Sequence, residues 1–269
     1  MNVSPARPWL MSGALLFVSV CSLQAQLVVK LSPQTVAEFE HYANKVEAQL
    51  NERWSAGKNF LVLDGSPEEK KKVLAGELFI KSMSGDHPVA VTDGLIHDWL
   101  GAVFIPHATP ENVVSILEDF NRHKDIYPEV TQSKTLGRSG STVTGYWRLE
   151  QKAGIVPIIL NVTEEATYKQ VSQGKWKGLT YAKKIIETDT GLFSRGKKFP
   201  LGEGHGYLWR LYGYWSLEAA QGGTLAECRT LSLSRDIPQG LNWAVAPYVE
   251  KQPRTSLASL LTNTRKAAE

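Results

Sequence analysis

The chain has 269 residues, of which 42% are hydrophobic and 21% are charged, and its formal net charge is +3. This composition excludes a disordered chain and supports one large domain, or one domain with an extension. The basic residues are interspersed with acidic ones and the net charge is small, which argues against a nucleic-acid partner.

Residues 1–25 have the pattern of a secretory signal peptide. Arg7 precedes an apolar run from Leu10 to Val20, and the small residue Ala25 stands where a signal peptidase would cut. The run is roughly half of the ~20 residues that a membrane-spanning helix needs, although an uncleaved anchor is the alternative. We therefore predict an exported protein, either periplasmic or secreted.

Cysteine and histidine placement predicts neither a disulfide nor a metal site. Cys21 leaves with the signal peptide, so Cys228 is the single cysteine of the mature chain. The six histidines are not paired at the spacing of metal ligands, and no nucleophile or phosphate-loop motif is present. We therefore expect no metal and no cofactor.

Residues 26–93 are predicted to form a helical N-terminal extension. From Ser32 to Trp54 apolar residues recur every three or four positions, the period of an amphipathic helix. A short charged helix from Glu68 to Ala75 and a brief strand from Leu78 to Ile80 follow. The main domain is then expected over residues 94–269.

The main domain is predicted to begin with a strand, His97 to Pro106, and a helix. Thr109 caps this helix, Pro110 takes its first position, and its apolar stripe ends at Phe120. Four further strands are predicted near Thr131–Leu136, Ser141–Gln151, Val156–Tyr168 and Leu179–Thr188.

The last third of the chain predicts two long strands and a closing helix. The strands run from Gly206 to Glu218 and from Thr224 to Arg235, with a hairpin turn at Gln221–Gly223. A glycine- and lysine-rich loop, Gly191 to Gly206, precedes them, and a helix is expected after Pro238. This order predicts an α+β fold with a helix packed on one face of an antiparallel sheet.

The order of these elements resembles the START-like, or SRPBCC, superfamily. The resemblance rests on the strand that leads into a helix over Trp99–Phe120, the break at Tyr127–Pro128, and the run Leu231–Pro238 that leads to the terminal helix. It covers residues 94–269 and implies a helix-grip fold, a curved antiparallel sheet wrapped around a long C-terminal helix. It also implies a deep, mostly apolar cavity. Members of the superfamily bind lipids, sterols and polyketides, and some are cyclases or hydrolases.

Strand residues of two kinds are the candidate ligand contacts. Trp209, Leu211, Gly213 and Trp215 are expected to share a strand face, on which Gly213 leaves a gap for a guest between two large rings. Charged or phenolic residues could orient a headgroup. The predicted ligand-binding set is Trp147, Trp209, Arg210, Tyr212, Gly213, Trp215, Glu227 and Arg229. The pattern does not tell which strand face is concave, and on an outward face the charges would be ordinary cross-strand pairs.

The expected function is binding or transport of a hydrophobic or amphipathic, lipid-like small molecule, with the Gly191–Gly206 loop gating entry. A transient contact with a membrane is compatible with this function. One alternative is a cyclase, dehydratase or hydrolase that uses Glu227 or His205 as a general acid or base. Another is a partner-docking module whose cavity is filled by its own side chains.

Overall fold

The computed structural model describes residues 28–56, 58–153, 156–191, 196–236 and 242–269. The predicted signal peptide, residues 1–25, lies outside the described residues, as does the centre of the predicted gating loop, residues 192–195. Within the described ranges, no helix combines the length and the apolar character needed to cross a bilayer.

The helices and strands that the sequence predicts appear in the expected order, with several short elements added between them. The helices are α1 (Pro33–Ala56), a 3-10 turn (Val62–Gly65), α2 (Pro67–Leu74), α3 (Pro110–Glu118), α4 (His123–Ile126) and α5 (Asn242–Ala268). The strands are β1 (Val29–Lys30), β2 (Phe79–Ser82), β3 (Val89–Val91), β4 (Gly94–Pro106), β5 (Val130–Ser139), β6 (Thr142–Ala153), β7 (Val156–Ser172), β8 (Lys175–Thr188), β9 (Glu203–Gly204), β10 (Arg210–Ala220) and β11 (Gly223–Arg235).

Nine of these strands form one curved antiparallel sheet. Its order is β2-β4-β11-β10-β8-β7-β6-β5, with β3 also paired to β4, while β1 and β9 form a separate pair. Helix α5 packs against β4, β11 and β2. The predicted α+β, helix-grip architecture is therefore confirmed. The sheet also takes in β2 and β3, which precede the expected start of the main domain at Gly94.

A two-residue turn joins the two long C-terminal strands. Ala220 pairs with Gly223, and the residues between them, Gln221 and Gly222, have φ angles of 47° and 78°. Positive φ at both central positions matches the right-handed twist of the flanking strands. The turn fixes the register of β10 and β11, and with it which of their residues share a face.

Around β4, β10 and β11 both faces of the sheet are buried, because a helix covers each of them. On the outer face, Phe39 and Val46 of α1 join one apolar cluster with Tyr214, Leu231 and Leu233. The inner face is covered by α5, whose Leu257 and Leu261 cluster with Val103, Trp215 and Cys228. Neighbouring strand residues point to opposite faces, so odd and even positions of β10 and β11 belong to different layers.

Helix α1 has a capped N-terminus, and it packs on the outer face through its apolar stripe and a buried hydrogen bond. Ser32 Oγ accepts from the Thr35 amide at 3.1 Å, as a helix N-cap does. At the other end of the helix, Trp54 Nε1 donates to Ser216 Oγ at 2.9 Å. The predicted N-terminal extension thus shares a core with the sheet.

Candidate functional site

A cavity of about 300 Å³ lies between the inner face of the sheet and α5. Most of its lining is apolar, including Leu117, Trp147, Leu160, Trp215, Leu257 and Leu260. Its volume is at the low end of the ~300–1,000 Å³ range of small-molecule sites and about twice that of a ~150 Å³ cavity that binds benzene. The space fits a compact guest.

The sheet forms a gap in the cavity wall at Gly213. Thr180 of β8, Gly213 of β10 and Thr230 of β11 are aligned across three strands, and all three line the cavity. A Cβ placed on Gly213 would lie 2.5 Å from Thr180 Oγ1, so this hydroxyl leans over the glycine. Along β10, the neighbours on the same face are Leu211 and Trp215, which also line the cavity. Two hydroxyls and two apolar side chains therefore surround the gap.

Glu164 of β7 places a carboxyl group on the same wall. Its Oε2 accepts a hydrogen bond from Trp147 Nε1 at 3.0 Å. Burial raises the pKa of Glu164 to about 7, and the hydrogen bond from Trp147 offsets part of that rise. A carboxyl group with this pKa exchanges protons near neutral pH, so it can donate to a guest or accept from one.

Burial holds two histidines, a tyrosine and the cysteine of the lining in their neutral forms. Burial lowers the pKa of His97 and of His123 to about 4. Burial also raises the pKa of the Tyr168 hydroxyl and of the Cys228 thiol well above their usual ranges. Neutral side chains suit an apolar environment, since a charge buried without a partner is costly.

Tyr127 and Tyr168 add phenolic hydroxyl groups to the lining. The Tyr127 hydroxyl lies 3.0 Å from Thr264 Oγ1 of α5. The Tyr168 ring covers Gly178 on the adjacent strand, where an added Cβ would lie 2.3 Å from Tyr168 Cε1. Burial raises the pKa of both tyrosines, so both hydroxyls stay protonated at neutral pH.

One end of the cavity is formed by the segment before β10. His205 lines the cavity there, and its Nδ1 lies 2.5 Å from Glu187 Oε1, while its amide donates to Glu187 Oε2 at 3.0 Å. The His205 ring packs edge-on against Phe199. Since the lining at this end also includes the exposed residue Asp236, we regard this end as the entrance.

Four of the predicted ligand-binding residues border the cavity. Trp147, Gly213 and Trp215 line it with Tyr212. The Tyr212 hydroxyl, however, donates to Glu40 of α1 at 2.6 Å, and its side chain belongs to the outer layer. The structure therefore brings Trp147, Gly213 and Trp215 together at the inner wall.

The charged candidates of β11 lie on the outer face, away from the cavity. Arg229 binds Asp98 through two hydrogen bonds, Nε to Oδ1 at 2.8 Å and Nη2 to Oδ2 at 2.6 Å. Glu227 accepts from the amides of Val62 and Leu63 at 2.9 and 3.1 Å, and burial raises its pKa to about 7. Arg229 thus joins β11 to β4, and Glu227 joins β11 to the N-terminal segment, so we do not retain either as a ligand contact.

Trp209 and Arg210 also lie outside the cavity lining. Trp209 precedes β10 and packs in the outer apolar cluster with Leu233 and Phe39. Arg210 Nη1 donates to the Trp209 carbonyl at 2.9 Å. The expectation that Trp209 shares a face with Gly213 and Trp215 is wrong, because regular strand alternation begins only at Arg210.

Glu164, Thr180, Thr230 and Tyr168 were not singled out by the sequence analysis. A signal for one of them exists in β11, where Glu227, Arg229, Leu231 and Leu233 alternate with Cys228, Thr230, Ser232 and Ser234. Small uncharged side chains on one face leave space beside the sheet, whereas large ones on the other fill it. The smaller set therefore marks the cavity face.

The described part of the chain contains no group of three histidine, cysteine or acidic residues arranged to hold a metal ion.

No protein-family model and no curated protein match this chain. Among solved structures, it is similar to a STAR-related lipid transfer protein from Xanthomonas axonopodis, with 18% identity, a TM-score of 0.44 and coverage of 66% of this chain and 96% of that one. It is similar to a START superfamily protein from Mycobacterium smegmatis, with 14% identity, a TM-score of 0.41 and coverage of 64% and 96%. The Zhui aromatase/cyclase from Streptomyces sp. R1128 has 12% identity, a TM-score of 0.39 and coverage of 64% and 93%.

The chain has a START-like fold. Its strand order, its terminal helix and the cavity between them establish this. Because a shared fold does not determine function, and the TM-scores are below 0.5, the functional argument depends on the cavity itself.

Proposed function

We propose that the protein binds a compact hydrophobic or amphipathic small molecule, of lipid-like character, in the inner cavity. The observation that carries the proposal is an open, mostly apolar space of about 300 Å³ between the inner sheet face and α5. Transfer of apolar surface from water into such a space stabilises a complex by roughly 25 cal/mol per Å². A guest that fills the cavity therefore binds mainly by burying its apolar surface against Trp147, Trp215 and the leucine side chains of the lining.

Native mass spectrometry of the protein purified from its own compartment tests this proposal. Denaturing extraction then identifies the molecule that was bound. We expect a stoichiometric hydrophobic guest in the wild type and its loss in Gly213→Phe. The contacts of an added Cβ at Gly213 are confined to the Thr180 side chain, so a ring there would extend into the cavity.

Gly137→Phe is the matched control, because Gly137 lies in edge strand β5 with no neighbouring atoms within 4 Å of an added Cβ. This variant should keep the guest. A wild-type protein that is empty and takes up no added apolar probe would rule the proposal out.

Acid–base catalysis is a second candidate function, and Glu164 is the residue that favours it. Its carboxyl lines the cavity and its pKa of about 7 suits proton transfer near neutral pH. Glu227, which the sequence analysis considered for this role, lies on the outer face. Catalysis would be supported by a guest that the wild type returns chemically altered and Glu164→Gln returns unchanged.

The partner-docking alternative lacks support from the cavity and from α1. Side chains do not fill the cavity, and the apolar residues of α1, such as Phe39, Val46 and Leu50, are buried against the sheet. The stripe that could have bound a partner is used inside the protein.

We also propose that the mature protein acts outside the cytoplasm, on the basis of the signal-peptide pattern in residues 1–25. N-terminal sequencing of the protein from the extracytoplasmic fraction tests this, with Gln26 expected as the first residue. Recovery of the intact N-terminus from the cytosol would contradict it.

A further inference from the structure

The wall of the cavity carries hydroxyl groups at the Gly213 gap. Thr180, Thr230 and Ser232 all line the cavity, and within the described part of the chain their hydroxyls form no hydrogen bond with another group. None of the three hydroxyls is among the fully buried polar atoms that lack a hydrogen-bond partner. Each therefore keeps some accessible surface, and a guest can reach it. A polar group that stays unpaired when a guest displaces water is costly, so a suitable guest must pair with these hydroxyls.

The charges of the lining argue against an anionic guest. Among the described lining residues, Glu129, Glu164 and Asp236 carry carboxyl groups, and Arg235 is the single residue with a guanidinium or ammonium group. Arg235 Nε donates to the carbonyl of Asp236 at 3.3 Å, at the entrance end. An anion in the cavity would thus share it with Glu164, while the one guanidinium group of the described lining lies at the entrance end, and like charges in a medium of low dielectric constant repel strongly.

We propose that the guest carries an uncharged oxygen group, a hydroxyl or a carbonyl, and that this group lies over Gly213 and binds the hydroxyls of Thr180 and Thr230. The inference rests on the proposed function and specifies the ligand class of the same site. The leaning Thr180 hydroxyl bounds the gap on one side, and Thr230 bounds it on the other. The apolar body of the guest then lies against Leu211 and Trp215.

Threonine hydroxyls can both donate and accept, so the pair accommodates either kind of oxygen group. Any side chain at position 213 would collide with Thr180 Oγ1 and occupy the gap. The glycine therefore gives the oxygen group access to both hydroxyls.

Titration calorimetry with three two-ring probes, naphthalene, 2-naphthol and 2-naphthoate, tests the inference. A neutral hydrogen bond contributes ~1 kcal/mol net, which corresponds to about a fivefold change in affinity. We expect 2-naphthol to bind roughly fivefold to tenfold more tightly than naphthalene. We expect 2-naphthoate at pH 8 to bind more weakly than naphthalene.

The double variant Thr180→Val, Thr230→Val keeps the side-chain shape and removes both hydroxyls. In it the ratio of 2-naphthol to naphthalene affinity should fall to about one, while Thr180→Ser, Thr230→Ser should retain the preference. Thr167→Val is the matched control, since the Thr167 hydroxyl lies 2.7 Å from that of Thr142 and neither residue lines the cavity. It should leave the ratio unchanged.

The outcomes separate this inference from the proposed function. If naphthalene binds but 2-naphthol binds no better, or if the preference survives in the double valine variant, the inference is overturned and the apolar-binding function stands. Tighter binding of 2-naphthoate than of 2-naphthol would likewise overturn it. If none of the three probes binds, both the inference and the proposed function fail.

Discussion

Trp147 Nε1 donates to Glu164 Oε2 at 3.0 Å, and this hydrogen bond joins β6 to β7 on the cavity wall. The donor stabilises the ionised carboxyl, whereas burial destabilises it, and burial is the larger effect because the pKa of Glu164 rises to about 7. The relationship makes both guest binding and stability sensitive to pH.

Glu164 should make the folded protein less stable as the pH rises from about 4.5 to 7. In this window the native state, with its pKa of about 7, holds a proton that the unfolded chain, with a pKa near 4.5, has lost. The contribution of Glu164 to the unfolding free energy therefore falls with rising pH, by up to about 3 kcal/mol, and is constant above and below the window.

Glu164→Gln removes this ionisation and keeps an acceptor for Trp147. In urea unfolding, the change in unfolding free energy between pH 5 and pH 8 should be more favourable to the folded state in the variant than in the wild type. The pH dependence that remains comes from Glu227, whose pKa is also about 7, and with the opposite sign from His97 and His123, whose pKa values are about 4. Glu165→Gln is the control, because Glu165 lies on the opposite face in a surface pair with Lys183. An unchanged pH dependence in Glu164→Gln would contradict the assignment.

Glu227→Gln should destabilise the protein without changing probe binding. Both carboxyl oxygens accept backbone N–H groups, from Val62 and Leu63, and an amide can offer only one acceptor oxygen while its NH₂ would face a donor. We expect a loss of roughly 1–3 kcal/mol at pH 8 in urea unfolding. Loss of naphthalene binding by a variant that is still folded would show that the outer-face position is wrong.

Arg229→Met should be among the more destabilising single changes on the outer face. It leaves the Asp98 carboxyl, which has 0% exposure, with Tyr42 as its side-chain partner. Breaking one side of a buried ion pair costs about 3–5 kcal/mol. Adding Asp98→Leu should recover much of that loss in urea unfolding, because the uncompensated charge is then gone. If the double variant is no more stable than Arg229→Met, the broken ion pair is not the main cause of the stability lost in Arg229→Met.

Two buried tryptophans, Trp209 just before β10 and Trp215 in the middle of that strand, should differ in their effect on binding. Trp215→Ala and Trp209→Ala each remove a large buried side chain, at a cost of about 3–5 kcal/mol. Trp215 lines the cavity and Trp209 does not. Calorimetry should therefore show weaker naphthalene binding in Trp215→Ala and unchanged affinity in Trp209→Ala. An equal loss of naphthalene affinity in the two folded variants would contradict this distinction.

The sequence predicted the fold well because its strands and terminal helix have strong local signals. The structure contains the two long C-terminal strands, the second of which ends at Arg235. It also contains the hairpin turn at Gln221–Gly222 and the helix capped by Thr109. These features depend on neighbouring residues, which a single sequence displays directly.

The cavity face could not be predicted in the same way, because β10 and β11 are buried on both faces. Along β11 nearly every residue is inaccessible to solvent, so hydrophobic alternation does not distinguish the layers. Arg229 finds its partner Asp98 on β4 and Glu227 binds the distant 3-10 turn, contacts that no local pattern contains. Charged residues that suggested a headgroup site therefore belong to the outer layer.

A single layer of sheet backbone separates the cavity from α1. Gly213 faces the cavity, while the next residue, Tyr214, contacts α1 through a hydrogen bond from its hydroxyl to Glu47 at 3.0 Å. A change in the shape of the cavity wall would therefore act on the layer that contacts α1. If a guest that reshapes the wall changed the free energy of docking α1, then undocking α1 would change the affinity for that guest by the same factor.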